Sequence, residues 1–352
     1  EAVNQWWARQ GWQPHTRVVM LDVHRLRDVN ETYGFDAGDE LLIAIARRLE
    51  ASSPDGTVVG RAGGDEFIIF LPAASASAAD AACSALTAVF ADPFPVAGST
   101  FECHASFGYT RLGPKQRAPD DLLREAEIAL FYAGAPQAPD EWRGYASELE
   151  ERSQERIRIT GELRLALPRN EFELHFQPKV DLGTGDLIGA ETLLRWAHPE
   201  RGLQPPGLFA ALAEQSQLIG PIGNWVLHEA CRCLRAWQDC GLDLVRLSVN
   251  VSVVQFAGGD FPQIVEQALT DNDVAPSALI LEVTESVFEQ NAHSLHRQLH
   301  ELHAMGVHLS LDDFGTGYSS LLYLQQYPFD EIKVDKGFVM DMTAQSYKSK
   351  VV

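Results

Sequence analysis

Two stretches of the sequence set carboxylates side by side next to glycines. One is Asp312-Asp313-Phe314-Gly315-Thr316-Gly317, which follows the apolar run His308-Leu309-Ser310-Leu311. Neighbouring carboxylates repel, and a cation relieves that repulsion. Glycines just after them let the backbone bend tightly around a bound group. The chemistry this implies is that of a metal-dependent active-site loop. The other stretch is Gly63-Gly64-Asp65-Glu66, set between the apolar runs 57–62 and 67–71 as the tip of a two-stranded hairpin.

The elements that must position the first stretch lie in the second half of the chain. From Phe172 onward, β-rich segments at 172–180, 187–196, 244–251, 279–284, 308–311 and 331–334 alternate with helical patterns at 225–240, 261–270 and 293–305. Repeated β-then-α units predict mostly parallel strands and a (β/α)8-type barrel, whose functional residues sit where strands end. Reading the strand ends collects Glu191, Asn250, Glu282, Asp312, Asp313 and Lys333. Carboxylates with an amide oxygen suit a hard cation such as Mg²⁺ or Mn²⁺. Asp312 could bridge two ions while Asp313 holds one; such ions lie roughly 3.5–4 Å apart and drive in-line phosphoryl displacement. Lys333 would hold the attacking water or neutralise charge on the phosphorus centre. Taken singly, a strand-end Glu or Asn is a cap or turn former, and a lone lysine is a surface residue. Their joint arrival at one face argues for a site.

The first half predicts a strand at 17–23, a helix at 37–49 with Leu41, Leu42, Ile45 and Leu49 at helical spacing, the hairpin, an alanine-rich helix at 73–91, a strand at 101–112 and a helix at 120–133. The order βαββαβ predicts a ferredoxin-like α+β domain over 1–145. A charged helix at 146–167, read as a solvated face, links it to the barrel at 168–352.

Bulk properties limit the function. The chain has 352 residues, enough for two domains, and a formal net charge of -21, which argues against nonspecific binding to DNA, RNA or anionic membrane. Bound cations could still reverse the local sign for a phosphate ligand. No apolar run is long enough to span a bilayer and no secretory signal is visible. Five cysteines without repeated metal spacing read as reduced, buried thiols. The expected location is the cytoplasm.

The second half resembles the EAL domain family, the cyclic di-GMP phosphodiesterases. The matching segments are Phe176-Gln177-Pro178-Lys179-Val180, Glu191-Thr192-Leu193-Leu194-Arg195-Trp196, Val249-Asn250-Val251-Ser252, Leu281-Glu282-Val283-Thr284-Glu285-Ser286, the 312–320 loop and Ile332-Lys333-Val334-Asp335. The resemblance implies that Glu191, Asn250, Glu282 and Asp312 hold a first metal, and that Asp312 and Asp313 contribute to a second. It implies that Lys333 contacts the water, that Gln177 and Arg195 hold the dinucleotide, and that Glu285 pins the loop. The implied reaction hydrolyses cyclic di-GMP to linear pGpG. Two departures stand out. Thr192 replaces the signature alanine, a mild change because Glu191 is kept, although an added methyl and hydroxyl in a packed site could lower turnover. The family's later second-metal glutamate and last two βα units would lie beyond Val352, so the barrel as written is expected to be incomplete and a poor hydrolase.

The first half resembles the GGDEF family, the diguanylate cyclases, through Gly63-Gly64-Asp65-Glu66-Phe67, Leu21-Asp22-Val23, Asn30 and Gly38-Asp39-Glu40-Leu41-Leu42. By resemblance, Asp22 and Asp65 bind Mg²⁺, Asn30 and Asp39 recognise guanine, and Gly63 and Gly64 let the backbone approach the phosphates of GTP, with Glu66 nearby. His24, Leu26, Phe35 and Gly134 depart from that pattern, as do Pro54 and Thr57 where an RxxD motif is expected. The expectation is a degenerate domain able to bind GTP and regulate the barrel, in a homodimer. The competing readings are a cyclic di-GMP receptor that does not cleave its ligand, and an active cyclase.

Overall fold

The computed structural model describes residues 15–96, 98–112, 118–133, 142–242, 246–289, 292–315 and 326–337. The chain divides into two compact units, 1–155 and 156–352. Helix Ser147–Ala166 spans that division.

The first unit is built on strand β1, Arg17–Val23. It is apolar on both faces because both are covered. Val19, Leu21 and Val23 pack with Leu41, Ile45 and Leu49 of helix Phe35–Ser52. Val18 and Met20 pack on the other face with Leu122, Ala126 and Leu130 of helix Pro119–Phe131. The hairpin forms as the glycines require: β2 (Val58–Gly63) and β3 (Glu66–Leu71) leave Gly64 and Asp65 at the tip, with Gly64 at φ 52°. A short β4–β5 hairpin (Phe94–Val96, Ser99–Phe101) precedes β6 (Ala105–Arg111), and β7 (Trp142–Gly144) lies parallel to β6. The sheet order is β2-β3-β1-β6-β7.

Four details differ from the sequence reading. The expected strand at 101–112 is two strands in different sheets, parted at buried Cys103. Residues 142–144, expected to lie outside the pattern, are the fifth strand β7. A helix at Leu26–Tyr33 precedes the expected one. Helices cover both faces of the sheet, one layer more than a two-layer ferredoxin-like unit has.

In the second unit the described strands are β8 (Phe172–Val180), β9 (Leu187–His198), β10 (Gly202–Gln204), β11 (Arg246–Val251), β12 (Leu279–Thr284), β13 (His308–Phe314) and β14 (Glu331–Val334). β9, β11, β12, β13 and β14 form a continuous parallel sheet in that order. β8 and β10 both pair antiparallel with β9, which corrects the expectation of uniform βα repeats. Asp181 holds the β8–β9 turn: its Oδ1 accepts from the backbone N–H of Gly183 and of Thr184, both at 2.8 Å.

Alternation along these strands separates two environments. Leu247, Val249, Val251, Leu279, Leu281, Val283, Leu309 and Leu311 join a core with the helices Ile219–Asp239, Phe261–Asp271 and Ala292–Met305. The residues between them, Ser248, Asn250, Glu282, Ser310 and Asp312, face the opposite side, the concave face of the sheet. Thr192 has the parity of Ala190 and Trp196, so it faces the helices and not Glu191's side. Its methyl and hydroxyl are therefore not among the site carboxylates. Its Oγ1 is buried with no hydrogen-bond partner among the described residues.

The cysteines are free; Cys83, Cys103 and Cys231 are buried, Cys233 half-buried and Cys240 exposed, so the expectation of buried thiols fails at Cys240. Burial pushes the Cys231 thiol up to about 12, so at pH 8 it stays protonated. Limited alkylation followed by peptide mass mapping should label Cys240 first and leave Cys231 unlabelled until the protein is unfolded. Thr192→Val keeps the shape and removes an unpartnered hydroxyl, so it should stabilise by about 1 kcal/mol. In a thermal melt this appears as a rise of about 2–4 °C.

Candidate functional site

Glu282, in the middle of β12, has a side chain with 0% exposure. A carboxylate this deep needs charged partners, and it has two. Lys333 on β14 donates to Glu282 Oε2 at 2.6 Å, and Lys179 on β8 donates to Oε1 at 2.8 Å. Lys333 also donates to Glu191 Oε2 at 3.2 Å and to Asp312 Oδ2 at 3.0 Å. Asn250 Nδ2 donates to Glu191 Oε1 at 3.0 Å. One ammonium thus gathers three carboxylates from β9, β12 and β13, with Asn250 of β11 attached to the first. Strand register allows this: Asn250 lies beside Glu282, Glu282 beside Ser310, and Ser310 beside Glu331.

The residues expected at strand ends are brought together, but Glu191 and Glu282 lie mid-strand. Asp313 continues β13 with a left-handed φ of 54°, and its N–H donates to Asp312 Oδ1 at 2.9 Å. That conformation costs a non-glycine residue energy. Burial, then the charges of Asp312 and of Asp335, push the Asp313 carboxyl up. Asp335, quoted in the matching segment without a role, lies close enough for its charge to act on Asp313. Gln177 stands opposite Glu191 in the β8–β9 register, and Arg195 shares Glu191's face four residues on, with Nη1 donating to the Leu194 carbonyl. Glu285 is buried at the start of a 3₁₀ turn just after β12. The 316–320 part of the loop it was expected to pin lies outside the described residues.

A second layer, also unforeseen, sits below. Lys179 Nζ donates to Ser248 Oγ at 2.7 Å and to Glu331 Oε1 at 3.0 Å, besides Glu282. Ser310 Oγ donates to the same Glu331 oxygen at 3.3 Å. The available signal was parity: Lys179 is two residues from Gln177, and Glu331 two from Lys333.

Among the described residues no group of three or more His, Cys, Asp or Glu side chains is set out as a metal site. The donor chemistry nevertheless fits a hard cation, because three carboxylate oxygens converge within 3.2 Å of one positive centre, the Lys333 ammonium. Burial works against that ammonium, but the hydrogen bonds and charges of Glu282 and Asp312 outweigh it and hold its pKa well above the ordinary lysine value.

In the first unit, Asp22 closes β1 opposite Glu66, and the Val23 N–H donates to the Asp65 carbonyl at 3.1 Å. Burial and the Asp65 charge push the Asp22 carboxyl up, while His24 pulls it down. Burial and then Asp22 push Glu66 up. His24 Nε2 hydrogen-bonds Ser106 Oγ at 2.9 Å. Asn30, Phe35, Gly64 and Asp65 line a hollow of about 420 Å³. Asp39 lines a hollow with Arg61 and Phe67. Arg61 braces the tip through two hydrogen bonds to the Gly64 carbonyl, at 3.0 and 2.7 Å.

Comparison with known proteins agrees with these two units. Residues 160–352 match the EAL domain model and residues 1–137 the model of the diguanylate cyclase, GGDEF domain. The bifunctional diguanylate cyclase/cyclic di-GMP phosphodiesterase MucR of Pseudomonas aeruginosa is 38% identical over 335 residues, covering 95% of this chain and 49% of that protein. The cyclic di-GMP phosphodiesterase NbdA of the same organism is 34% identical over 327 residues, 93% of this chain and 42% of that protein. The chain thus spans about half the length of these relatives or less. The solved PaMucR phosphodiesterase in complex with c-di-GMP is 47% identical with a TM-score of 0.52, covering 55% of this chain and 78% of that one. The S helix-GGDEF-EAL structure of Vibrio cholerae LapD is 16% identical with a TM-score of 0.61, covering 99% of this chain and 81% of that one, and shows the shared tandem fold. The chain belongs to the EAL domain family, with its EAL domain preceded by a GGDEF domain.

Proposed function

We propose that this chain is the cyclic di-GMP phosphodiesterase portion of its protein: the EAL domain (168–352) hydrolyses cyclic di-GMP to pGpG, and the GGDEF domain (1–145), joined through the helix at 146–167, binds GTP and regulates it. The observation that carries the reading is the convergence of Glu191, Glu282 and Asp312 on Lys333, with Glu282 fully buried. A receptor that only binds its ligand has no need of three carboxylates aimed at one cation.

Glu191, Asn250, Glu282 and Asp312 would hold one divalent ion, Mg²⁺ or Mn²⁺, and Asp312 with Asp313 would contribute to a second. Such ions supply an activated water and neutralise charge on the phosphate. Lys333, held protonated, donates to the attacking water and aims it at phosphorus. The Arg195 guanidinium matches the phosphate oxygens in geometry, and Gln177 beside Glu191 orients the dinucleotide. Glu285, behind β12, steadies the loop after Asp313. Water adds to phosphorus, the bond to one ribose oxygen breaks, and that oxygen leaves protonated as a hydroxyl.

In the GGDEF domain, Asp22 and Asp65 would take Mg²⁺ with the phosphates of GTP against Gly63 and Gly64. His24, tied to Ser106, and Phe35, 79% exposed at the rim of the Asn30 hollow, favour a regulatory role over synthesis. A second reading, a receptor without hydrolysis, has one observation behind it: Lys333 sits at the point the carboxylates share.

An assay of the whole protein with cyclic di-GMP and Mg²⁺ or Mn²⁺ should yield pGpG. Asp312→Ala should abolish it and Asp65→Ala retain it; tight binding without pGpG would establish the receptor instead. Added GTP should raise the rate, and this response should be lost in Asp65→Ala. Lys333→Met should lower kcat by about 10²–10³-fold. It should also lower the melting temperature without metal, because three carboxylates lose their shared cation, and added Mn²⁺ should restore more of it than in the unsubstituted protein.

A further inference from the structure

Lys179 takes no part in the chemistry just proposed, yet like Lys333 it donates to three acceptors. Phe172, Leu174 and Phe176 pack into the core, so the alternate residues of β8, Gln177 and Lys179 among them, face the concave side. Because β8 runs antiparallel to β9, Lys179 lies toward the opposite end of the sheet from Arg195. Its Nζ has three protons to donate, and its three acceptors are Ser248 Oγ, Glu282 Oε1 and Glu331 Oε1 at 2.7, 2.8 and 3.0 Å. The ammonium is thereby fixed in direction as well as position. Burial opposes its charge, but Glu282 and Glu331 outweigh that and keep it an ammonium.

We infer that Lys179, braced by Ser248 and Glu331, is a positioning residue that occupies Glu282 Oε1 so that only Oε2, which Lys333 holds at 2.6 Å, faces Glu191 and Asp312 as the one oxygen available to a divalent ion. The inference rests on the reading of this site as a metal-dependent phosphodiesterase. A carboxylate free at both oxygens can rotate or bind an ion through both. With Oε1 engaged from below, Glu282 offers one oxygen in one direction. The charges agree. The ion-paired groups are four carboxylates (Glu191, Glu282, Asp312, Glu331) against two ammoniums (Lys179, Lys333), a surplus of two negative charges before the neighbouring Asp313 is counted.

The test is Lys179→Met and, because the deeper change could impair folding, Glu331→Gln, which keeps the shape and removes one brace. Mn²⁺ affinity is measured by calorimetry on the whole protein without substrate, and kcat and KM for cyclic di-GMP separately. Outer partners of metal ligands typically contribute 10–100-fold in affinity or activity. Lys179→Met should therefore weaken Mn²⁺ binding and lower kcat by about that factor, with KM for cyclic di-GMP within about twofold. Glu331→Gln should shift Mn²⁺ affinity in the same direction by a smaller factor. A folded Lys179→Met protein, or a Glu331→Gln protein if the former does not fold, with Mn²⁺ affinity equal to that of the unsubstituted protein overturns the inference and leaves the phosphodiesterase reading standing. An unsubstituted protein that neither binds Mn²⁺ nor forms pGpG overturns that reading and this inference with it.

Discussion

A buried carboxylate between two ammoniums organises the second unit. Glu282 has no exposed side-chain surface, so its charge must be met inside the protein. Lys333 meets one oxygen and Lys179 the other, from strands separated from it by 51 and 103 residues in sequence. The strands β8, β12 and β14 must all be in place before Glu282 can be ionised and buried at the same time. The remaining acidic residues of the site are arranged around the cation that Glu282 requires. Removing one partner of such a buried arrangement leaves an uncompensated charge, so the network constrains the fold as well as the chemistry.

Much of this was legible from sequence because a strand has period two. Once 246–251 and 279–284 are read as strands with Leu247, Val249, Leu281 and Val283 toward helices, Asn250 and Glu282 must face the other way. Glu191, Asp312 and Lys333 follow from the same rule. The lower layer was legible only in part. Parity puts Lys179, Ser248 and Glu331 on the same faces as Gln177, Asn250 and Lys333, but it does not say that they touch. Their meeting depends on which strand neighbours which and in what register. The reversed direction of β8 could have been found: only residues 181–186 separate it from β9, far too few for a parallel crossover. Thr192 follows the same rule: as the strand neighbour of Glu191 it lies on the opposite face.

The first unit shows the same division. Its hairpin was readable from the glycines, and the order of the strands from their spacing. The strand β7 was missed because Trp142-Arg143-Gly144 is too short to carry a pattern. It is held by tertiary contact, with the Trp142 ring stacked on Phe107 at 4.2 Å and its Nε1 donating to Thr87 Oγ1 at 2.7 Å. The close packing of Asn30 on the helix that carries Asp39 likewise depends on tertiary contact, since Asn30 Oδ1 lies where a Cβ on Gly38 would stand.

The turn at Asp181 bears on both layers at once. By pinning the start of β9 to the end of β8, it decides that Gln177 meets Glu191 and that Lys179 points inward. A strand slipped by one residue exchanges its two faces. The ladder already carries one irregularity, where Lys179 faces Gly189 and Val180 faces Leu187, so one further residue between Lys179 and Glu191 would force either that exchange or a second irregularity. The exchange would send the ammonium toward the helices and Pro178 toward Glu282. The length of this exposed turn is thus as strict a requirement of the buried charge network as the identity of the lysine, and a surface loop here would not show the freedom that surface loops ordinarily have.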